Sequence, residues 1–483
     1  MIMIDVCLPD EFVKAALTGG NNFIRSAAES IYKSSAGDCF SLGSNIILAN
    51  GGVTGKIASA LFAIMRQNGL DAKLIDGNCD YGAYEAENPT EFGSEKVGCI
   101  IGSCGHLVDM QLQILFSAMQ RQPKPFYIAI GAPYGTDAVT GDVCPDALKA
   151  NITVAPGAVF SGLLTGAAPD YAGRIVATDF ISRISPCGKI ADKTLAKPAK
   201  RALTTHKGNC GKISVVGGCD CMPGAPLMAY YSAAAASRCG AGLVRLCVGE
   251  NEKCAYKSRV TEQTLFFLPE KEGFIAFDAE KFDDIAKWSD VVVIGPGMGK
   301  NPYLAQILAF LCGYDDLTLV ADADALNAAA SHPQCFAEHR CRLILTPHIG
   351  EFARLAPAVR QYDINAVRAF AAGYGCTLVL KSARTIITDG NRVYFNVTGC
   401  PAQAKGGSGD LLAGAIGAFA AVNDPLNAAV SACYYMGIAA ERVSCAMQSD
   451  VSVLAGDIIG NIGKCGFTEY DEIIQNLVVD NLT

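Results

Sequence analysis

An excess of positive charge is missing from this chain: 39 Lys and Arg stand against 47 Asp and Glu, a formal net charge of −8. Neither a nucleic-acid backbone nor an anionic lipid surface would be attracted to it as a whole, so neither is an expected partner; a nucleotide needs only a local positive site. Long apolar runs are missing as well. The most apolar stretches, 226–236 and 411–422, are too short or too rich in Ala and Gly to span a bilayer, and no basic-then-apolar signal opens the chain. Residence in the cytoplasm is the expectation. Paired C-x-x-C knuckles are absent from the densest cysteine group, Cys210, Cys219, Cys221, Cys239, Cys247 and Cys254, which counts against a structural metal site. The 21 cysteines are scattered through apolar segments of a large chain, unlike the framework of a small secreted domain, and are expected as reduced, mostly buried thiols.

What the chain does have is apolar content in a regular alternation. Its 483 residues, 51% of them hydrophobic, can build substantial cores, and the length favours two or three domains. From residue 45 onward, apolar runs ending in small or polar turns alternate with helical patterns. Strands are predicted over 45–48, 71–75, 98–101, 125–130 and 151–154, and helices over 55–68 and 108–119. A three-layer α/β domain with a parallel, Rossmann-like sheet is the economical reading. Composition shifts over 182–207, where Ser, Pro and Lys become frequent, so the first domain is placed at 1–185 and the second at 186–483. In the second, strands over 212–216, 244–248, 291–294, 318–321, 343–346 and 377–380 alternate with helices over 226–238, 302–311, 364–372 and 410–422. This is again an α/β pattern.

Ligands of open α/β sheets sit beyond the C-terminal ends of the strands. Near the end of the second domain, Lys405-Gly406-Gly407-Ser408-Gly409-Asp410 runs straight into an apolar helix. Small residues let backbone N–H groups converge on an anion, and a helix N-terminus adds positive dipole, an arrangement suited to phosphoryl transfer. Asp410 is then placed to take a proton from an attacking hydroxyl. A tight turn with Asp410 as helix N-cap accounts for the segment equally well on its own.

Other strand ends carry similar ambiguity. Gly217-Gly218-Cys219-Asp220-Cys221-Met222-Pro223-Gly224-Ala225 and Gly295-Pro296-Gly297-Met298-Gly299 are flexible turns that allow close ligand approach. Asp322 and Asp324, followed by Asn327, put two carboxylates at a strand end, with Asp324 a candidate for organising Mg²⁺ or water, or for helix capping. His348, one of only five histidines, and Glu351 follow Thr346-Pro347, where a surface helix start is the plain alternative. Lys381 ends a strand and is either a phosphate contact or a snorkelling surface lysine.

Taken in order, HKG, GG-x4-PGA, CGAGLV, GPGMG, DADALN, TPHIGE, VLKSARTII and GGSGDLLAG closely resemble the ADP-dependent NAD(P)H-hydrate dehydratases, relatives of the ribokinase-like small-molecule kinases, over residues 203–442. The resemblance implies a ribokinase-like second domain. It also implies repair of NADH or NADPH hydrated on the nicotinamide ring, with ADP (ATP as the alternative donor) and Mg²⁺, giving AMP and phosphate. Asp410 would be the base. Ala225, Gly297, Gly299 and His348 would touch the hydrated dinucleotide, while Lys381 and Gly406, Gly407, Ser408 and Gly409 would face the adenine nucleotide. Asp322, Asp324, Asn327 and Glu351 would support them. Lys405 stands where relatives commonly have Thr.

The first domain partly resembles the NAD(P)H-hydrate epimerases, through Asn50-Gly51-Gly52-Val53-Thr54-Gly55, Gly135-Thr136-Asp137-Ala138-Val139-Thr140-Gly141 and Asp170-Tyr171-Ala172-Gly173-Arg174-Ile175. The family's catalytic aspartate position is occupied by Gly131, in Ile130-Gly131-Ala132-Pro133-Tyr134-Gly135. A glycine transfers no proton. Gly51, Val53 and Thr54 replace Asn, Gly and Asp, and the GAPKPG segment reads Gly157-Ala158-Val159-Phe160-Ser161-Gly162, so the usual potassium environment is dismantled as well. A degenerate epimerase site at Asn50, Thr54, Gly131, Tyr134 and Asp137 is expected, with the domain a scaffold or oligomer surface, and the protein a homo-oligomer. His106 or Asp137 are the residues left that could substitute. The rivals are an enzyme that retains epimerase activity, a ribokinase-like kinase for a vitamin precursor, and a nucleotide-sensing binding protein.

Overall fold

The computed structural model describes residues 4–33, 44–49, 53–76, 97–103, 126–178, 184–196, 201–222, 224–251, 253–258, 260–360 and 362–465. The chain divides into two compact units, Met1–Ile190 with Tyr362–Ile364, and Ala191–Gln361 with Asn365–Thr483. No described helix is long and apolar enough to cross a membrane.

The strands of the first unit are β1 (Asp5–Cys7), β2 (Ser44–Ala49), β3 (Ala72–Asp76), β4 (Val97–Ser103), β5 (Phe126–Ile130), β6 (Ile152–Pro156), β7 (Ala158–Phe160), β8 (Arg174–Thr178) and β9 (Gly188–Ile190). Six of them form a wholly parallel sheet in the order β3-β2-β4-β5-β6-β8. Continuous burial of Tyr127 to Ile130 explains why β5 reads as an unbroken apolar run, since a parallel strand covered on both faces has no polar side. The Val53–Gln67 helix buries Ile57, Leu61 and Met65, a single stripe at four-residue spacing. β1 pairs in parallel with β7 and antiparallel with β9. The helix expected over 108–119 lies outside the described residues.

The second unit continues with β10 (Lys212–Val216), β11 (Leu243–Gly249), β12 (Thr264–Leu268), a two-stranded hairpin of β13 (Glu270–Lys271) and β14 (Phe274–Ile275), then β15 (Val291–Ile294), β16 (Thr318–Ala321), β17 (Arg342–Leu345), β18 (Thr377–Leu380), β19 (Thr385–Thr388) and β20 (Val393–Asn396). Its main sheet runs β12-β11-β10-β15-β16-β17-β18-β19-β20. All pairings are parallel from β12 through β18, and β19 and β20 follow in antiparallel pairing. The chain leaves β10 toward β11 on one side and later returns to β15 on the other, which opens a crevice at the C-terminal ends of these two strands.

Two helices frame that crevice, Ala225–Arg238 after β10 and Ser408–Ala420. They cross closely enough that a Cβ on Gly414 would lie 1.9 Å from the Ser232 carbonyl oxygen, so no other residue fits there. Gly417 is held in the same way, its Cβ position 2.7 Å from Val293 on β15. Around them, Ile213, Val215, Val291, Val293, Leu411, Ile416 and Phe419 belong to one buried cluster.

At the opposite, N-terminal edge of the sheet, His339 sits between two backbone acceptors. Nδ1 is 2.9 Å from the Cys341 carbonyl and Nε2 is 2.7 Å from the Tyr374 carbonyl. Two acceptors call for two N–H groups, the imidazolium form. Its hydrogen bond with the Cys341 side chain, followed by the two carbonyls, outweighs burial and pushes the His339 pKa up to about 9. A folded pKa above the unfolded value of ~6.5 means stability fully present below that pH and lost as pH rises through the folded pKa. Between about pH 6.5 and 9 the second unit is therefore expected to lose roughly 1 kcal/mol, a figure discounted for partial exposure. Denaturant titration across that range checks it, and His339→Gln should flatten the slope.

Of the cysteine group singled out above, Cys210, Cys219 and Cys247 are buried, Cys239 is half-buried, and Cys221 and Cys254 are exposed, a correction for the last two. The described cysteines are free thiols, and among the described residues no three His, Cys, Asp or Glu side chains gather as a metal centre.

Candidate active site

The Ser408–Ala420 helix begins one residue after Gly407, whose φ of 94° lies in the left-handed region, so Gly407 is the N-cap. Asp410 is therefore the third residue of the helix, and the alternative of Asp410 as N-cap does not hold. The turn is the sort that only glycine enters freely. Gly409 follows against the floor of the crevice: a Cβ there would lie 3.3 Å from Lys381 Nζ and 3.8 Å from Asp322 Oδ2. The phosphate-type loop and the Lys381–Asp322 pair are thus immediate neighbours.

Lys381 is not a snorkelling surface lysine. Its Nζ donates to Asp322 Oδ1 at 2.7 Å, with the Lys side chain 18% and the Asp side chain 2% exposed. Thr346 Oγ1 donates to the same oxygen at 2.8 Å. Burial alone would lower the ammonium pKa, but Asp322, Glu351 and Asp410 together raise it, so Lys381 stays charged. Asp410 is pushed up to about 6, first by burial and then by the Asp322 carboxylate, while Lys381 pulls the other way. Glu351 is raised by burial against the same lysine. One ammonium therefore faces several carboxylates, and the site carries an excess of negative charge.

His348 is the N-cap of the Ile349–Leu355 helix: its Nδ1 accepts from Gly350 N–H at 3.0 Å and Glu351 N–H at 3.1 Å, and His348 N–H donates to Glu351 Oε2 at 2.8 Å. The plain helix-start reading of these two residues is thus realised. Nδ1 is the acceptor nitrogen, which leaves Nε2, 3.4 Å from Glu351 Oε1 on a half-exposed ring, to carry the proton toward solvent or ligand. His348 and Lys381 are also bridged through the backbone, Lys381 N–H donating to the Pro347 carbonyl at 2.8 Å.

Asp324 holds a loop. Its Oδ2 accepts from Gly299 N–H at 2.7 Å and its Oδ1 from Asn327 Nδ2 at 3.3 Å, so its carboxylate fixes the Gly297–Met298–Gly299 turn rather than standing open for an ion. Arg354, which sequence reasoning missed, donates from Nε and Nη2 to Asn327 Oδ1 at 3.1 and 2.9 Å and orients that amide. Between the two aspartates, Ala323 takes φ 49° and ψ −117°. Such a backbone is costly for a non-glycine residue and clusters at functional sites.

Ser408 Oγ is buried without a hydrogen-bond partner among the described residues, an open donor at the start of the helix. Lys405 points elsewhere, its Nζ donating to the Val451 carbonyl at 2.6 Å. Ala225 opens its helix behind Gly224, φ 93°. In the first unit, Gly131 is a buried, left-handed link (φ 84°) donating to the Val154 carbonyl, and Thr54 is buried in the first turn of its helix. Tyr134 N–H donates to the Tyr127 hydroxyl. The Asp137 carboxylate is engaged in its own turn, accepting from Val139 and Thr140 N–H at 2.8 Å each. Asn50 and His106 lie outside the described residues.

Residues 213–463 match the family model described as NAD(P)H-hydrate dehydratase. The bifunctional NAD(P)H-hydrate repair enzyme Nnr of Vibrio cholerae is 31% identical over 367 residues, 73% of this chain and 70% of that protein. Its counterpart in Salinibacter ruber is 32% identical over 369 residues, 71% of this chain, which spans only 66% of that relative's length. Among solved structures, the ADP/ATP-dependent NAD(P)H-hydrate dehydratase of Bacillus subtilis, co-crystallised with ATP and Mg²⁺, superposes with a TM-score of 0.46 at 26% identity, covering 56% of this chain and 94% of that one.

Proposed function

We propose, on the premise that this chain belongs to the NAD(P)H-hydrate dehydratase family, that its second unit converts the S hydrate of NADH or NADPH back to the reduced dinucleotide, with ADP becoming AMP and phosphate. Water is a poor leaving group. Transfer of the terminal phosphoryl group of ADP to the ring hydroxyl makes a good one, and the ring nitrogen supplies the electron pair that restores the double bond as phosphate departs. The observation that carries this reading is Asp410, half-buried in the first turn of the glycine-capped helix, beside Lys381 and at a pKa of about 6. A carboxylate of that pKa is largely ionised near neutrality yet basic enough to take the hydroxyl proton.

The loop fits an adenine nucleotide's phosphates. Gly406 has open space at its Cβ position, Ser408 Oγ is an unused donor, and Lys381 is adjacent. Phosphate brought into a site with this carboxylate excess needs a counter-charge, which Mg²⁺ travelling with the nucleotide would supply; such an ion takes only one or two protein carboxylates, and Asp322 would be the one at hand, with Asp410 left free as the base. His348, Gly297, Gly299 and the Ala225 helix start would line the dinucleotide side. The first unit, with Gly131 in place of a proton-transferring residue and Asp137 tied to its turn, is assigned a structural role rather than epimerisation.

Recovery of reduced-nicotinamide absorbance from separately purified S and R hydrates, with and without ADP and Mg²⁺, tests both assignments. ADP-dependent recovery from S alone is expected. Recovery from R faster than spontaneous epimerisation would restore an active first unit, and recovery from neither would move the second unit to the kinases of vitamin precursors.

A further inference from the structure

The loop after β10 carries a feature that the dehydratase reading does not use. Met222 N–H donates to the Cys219 carbonyl at 3.2 Å, closing a turn that throws both neighbouring sulfurs to one side. Cys219 Sγ then donates to the Gly273 carbonyl and Cys221 Sγ to the Glu272 carbonyl, each at 3.4 Å. Asp220 N–H adds a bond to Gly273 at 3.1 Å. The loop is thereby stapled to the tip of the β13–β14 hairpin. Gly273, φ 79°, is what lets the sulfur seat: a Cβ there would lie 2.5 Å from Cys221 Sγ. On its other side Cys219 Sγ lies 3.6 Å from the Cβ position of Gly299, the residue whose amide Asp324 holds.

We propose that Cys219 and Cys221 are an oxidisable dithiol, closed to a disulfide by hydroperoxides, whose closure loosens the hairpin and shifts the Gly217–Gly224 and Gly297–Gly299 loops out of their working geometry. The expected loss of turnover rests on the dehydratase reading; the disulfide itself does not. Cys221 is exposed and meets the peroxide first, whereas Cys219 is 2% exposed and kept protonated, chiefly by burial, as the resolving thiol. The Cys221 sulfur attacks the peroxide, the O–O bond breaks, and the peroxide leaves as alcohol or water with sulfur oxidised to the sulfenic acid. Cys219 sulfur displaces hydroxide from it, and the thiol proton leaves with that hydroxide as water. Two thiols and one hydroperoxide thus give one disulfide, one alcohol and one water. With only Asp220 between them in a turn, the two Cα atoms stay within disulfide reach. Closure removes both S–H donors at once, so the two sulfur bonds to Glu272 and Gly273 are lost and the Asp220 N–H bond is left to hold the loop to the hairpin.

Trypsin offers a clean readout, because the 213–238 peptide contains these two cysteines and no other, and no internal Lys or Arg. Full-length protein would be treated with limiting hydrogen peroxide, alkylated and digested. The expected result is an unalkylated 213–238 peptide lighter by two hydrogens, several-fold faster amide exchange at Asp220, and turnover lowered at least about tenfold, all reversed by dithiothreitol. Cys219→Ser and Cys221→Ser keep a donor at each position, and their turnover should not change on treatment relative to their own untreated level. The proposal is overturned if both thiols in this peptide remain alkylatable at peroxide levels that oxidise the exposed Cys144, Cys254 or Cys445, or if the disulfide forms with exchange unaltered. Should neither hydrate be turned over even before treatment, the dehydratase reading fails, and the peptide mass and amide exchange still decide the dithiol.

Discussion

Asp410→Asn will lower turnover of the S hydrate by about 10³-fold while leaving ADP binding within a few-fold of wild type. The amide matches the carboxylate in size and keeps the helix start, so only the charge is lost. That charge sits in a costly place, raised to about 6 by burial and by Asp322. The sign follows. Below about pH 6 Asp410 carries a proton and cannot accept one from the hydroxyl, so kcat/KM of the wild type should fall on the acid side of that value, and the residual activity of the variant should lack this limb. Because the folded pKa lies above the ordinary carboxylate value, ionisation of Asp410 opposes folding near neutrality, and the variant should be more stable than wild type at pH 7. Lost turnover in a stabilised protein is a combination that a merely structural residue does not give. Retained turnover would remove Asp410 from the role of base.

Lys381→Met should lower thermal stability most among single changes in the crevice. The lysine is the partner of Asp322, a residue 1% exposed, and it neutralises Glu351 and Asp410 as well. Removing one partner of a buried ion pair leaves an uncompensated charge at a cost of about 3–5 kcal/mol, which for a chain of this size is on the order of 10 °C in Tm. Without the ammonium, the Asp410 pKa climbs further and the acid limb of any residual activity moves to higher pH. Adding Asp322→Asn removes the stranded charge, so the double variant should regain part of the lost Tm. A Lys381→Met protein that melts with wild type would show that the carboxylates are relieved by some other route.

Strand positions of the second unit were legible because each is an unbroken apolar run covered on both faces, as in Val291–Ile294 and Thr318–Ala321, and the strand ends pointed to the crevice residues. The antiparallel pair was not. β19 and β20 fell within and beyond a single motif, although Asp389-Gly390 announced their turn, Gly390 taking φ 88° and Asp389 Oδ1 accepting from Asn391 and Arg392 N–H. The Pro425–Met447 helix escaped because it is buried on several sides, from Leu426 through Tyr435 to Val443, and shows no polar face to set a period. At the site, residue types were readable and partners were not. Nothing local in the sequence says that Asp324 holds an amide 25 residues away, that Lys381 meets an aspartate 59 residues away, or that Ala323 adopts a backbone usually left to glycine.

The contact of Gly414 with the Ser232 carbonyl fixes more than a packing distance. The helix behind the Gly217–Gly218 loop and the helix behind the Gly406–Gly407 loop are locked at their crossing like the two arms of a caliper set to one gap. Sliding one arm would drive backbone into backbone, so the span between the two ligand loops is a constant of the scaffold. Adjustment to ligand then falls to the loop tips alone, and a substrate too long or too short for that span is rejected by reach before any side chain is consulted.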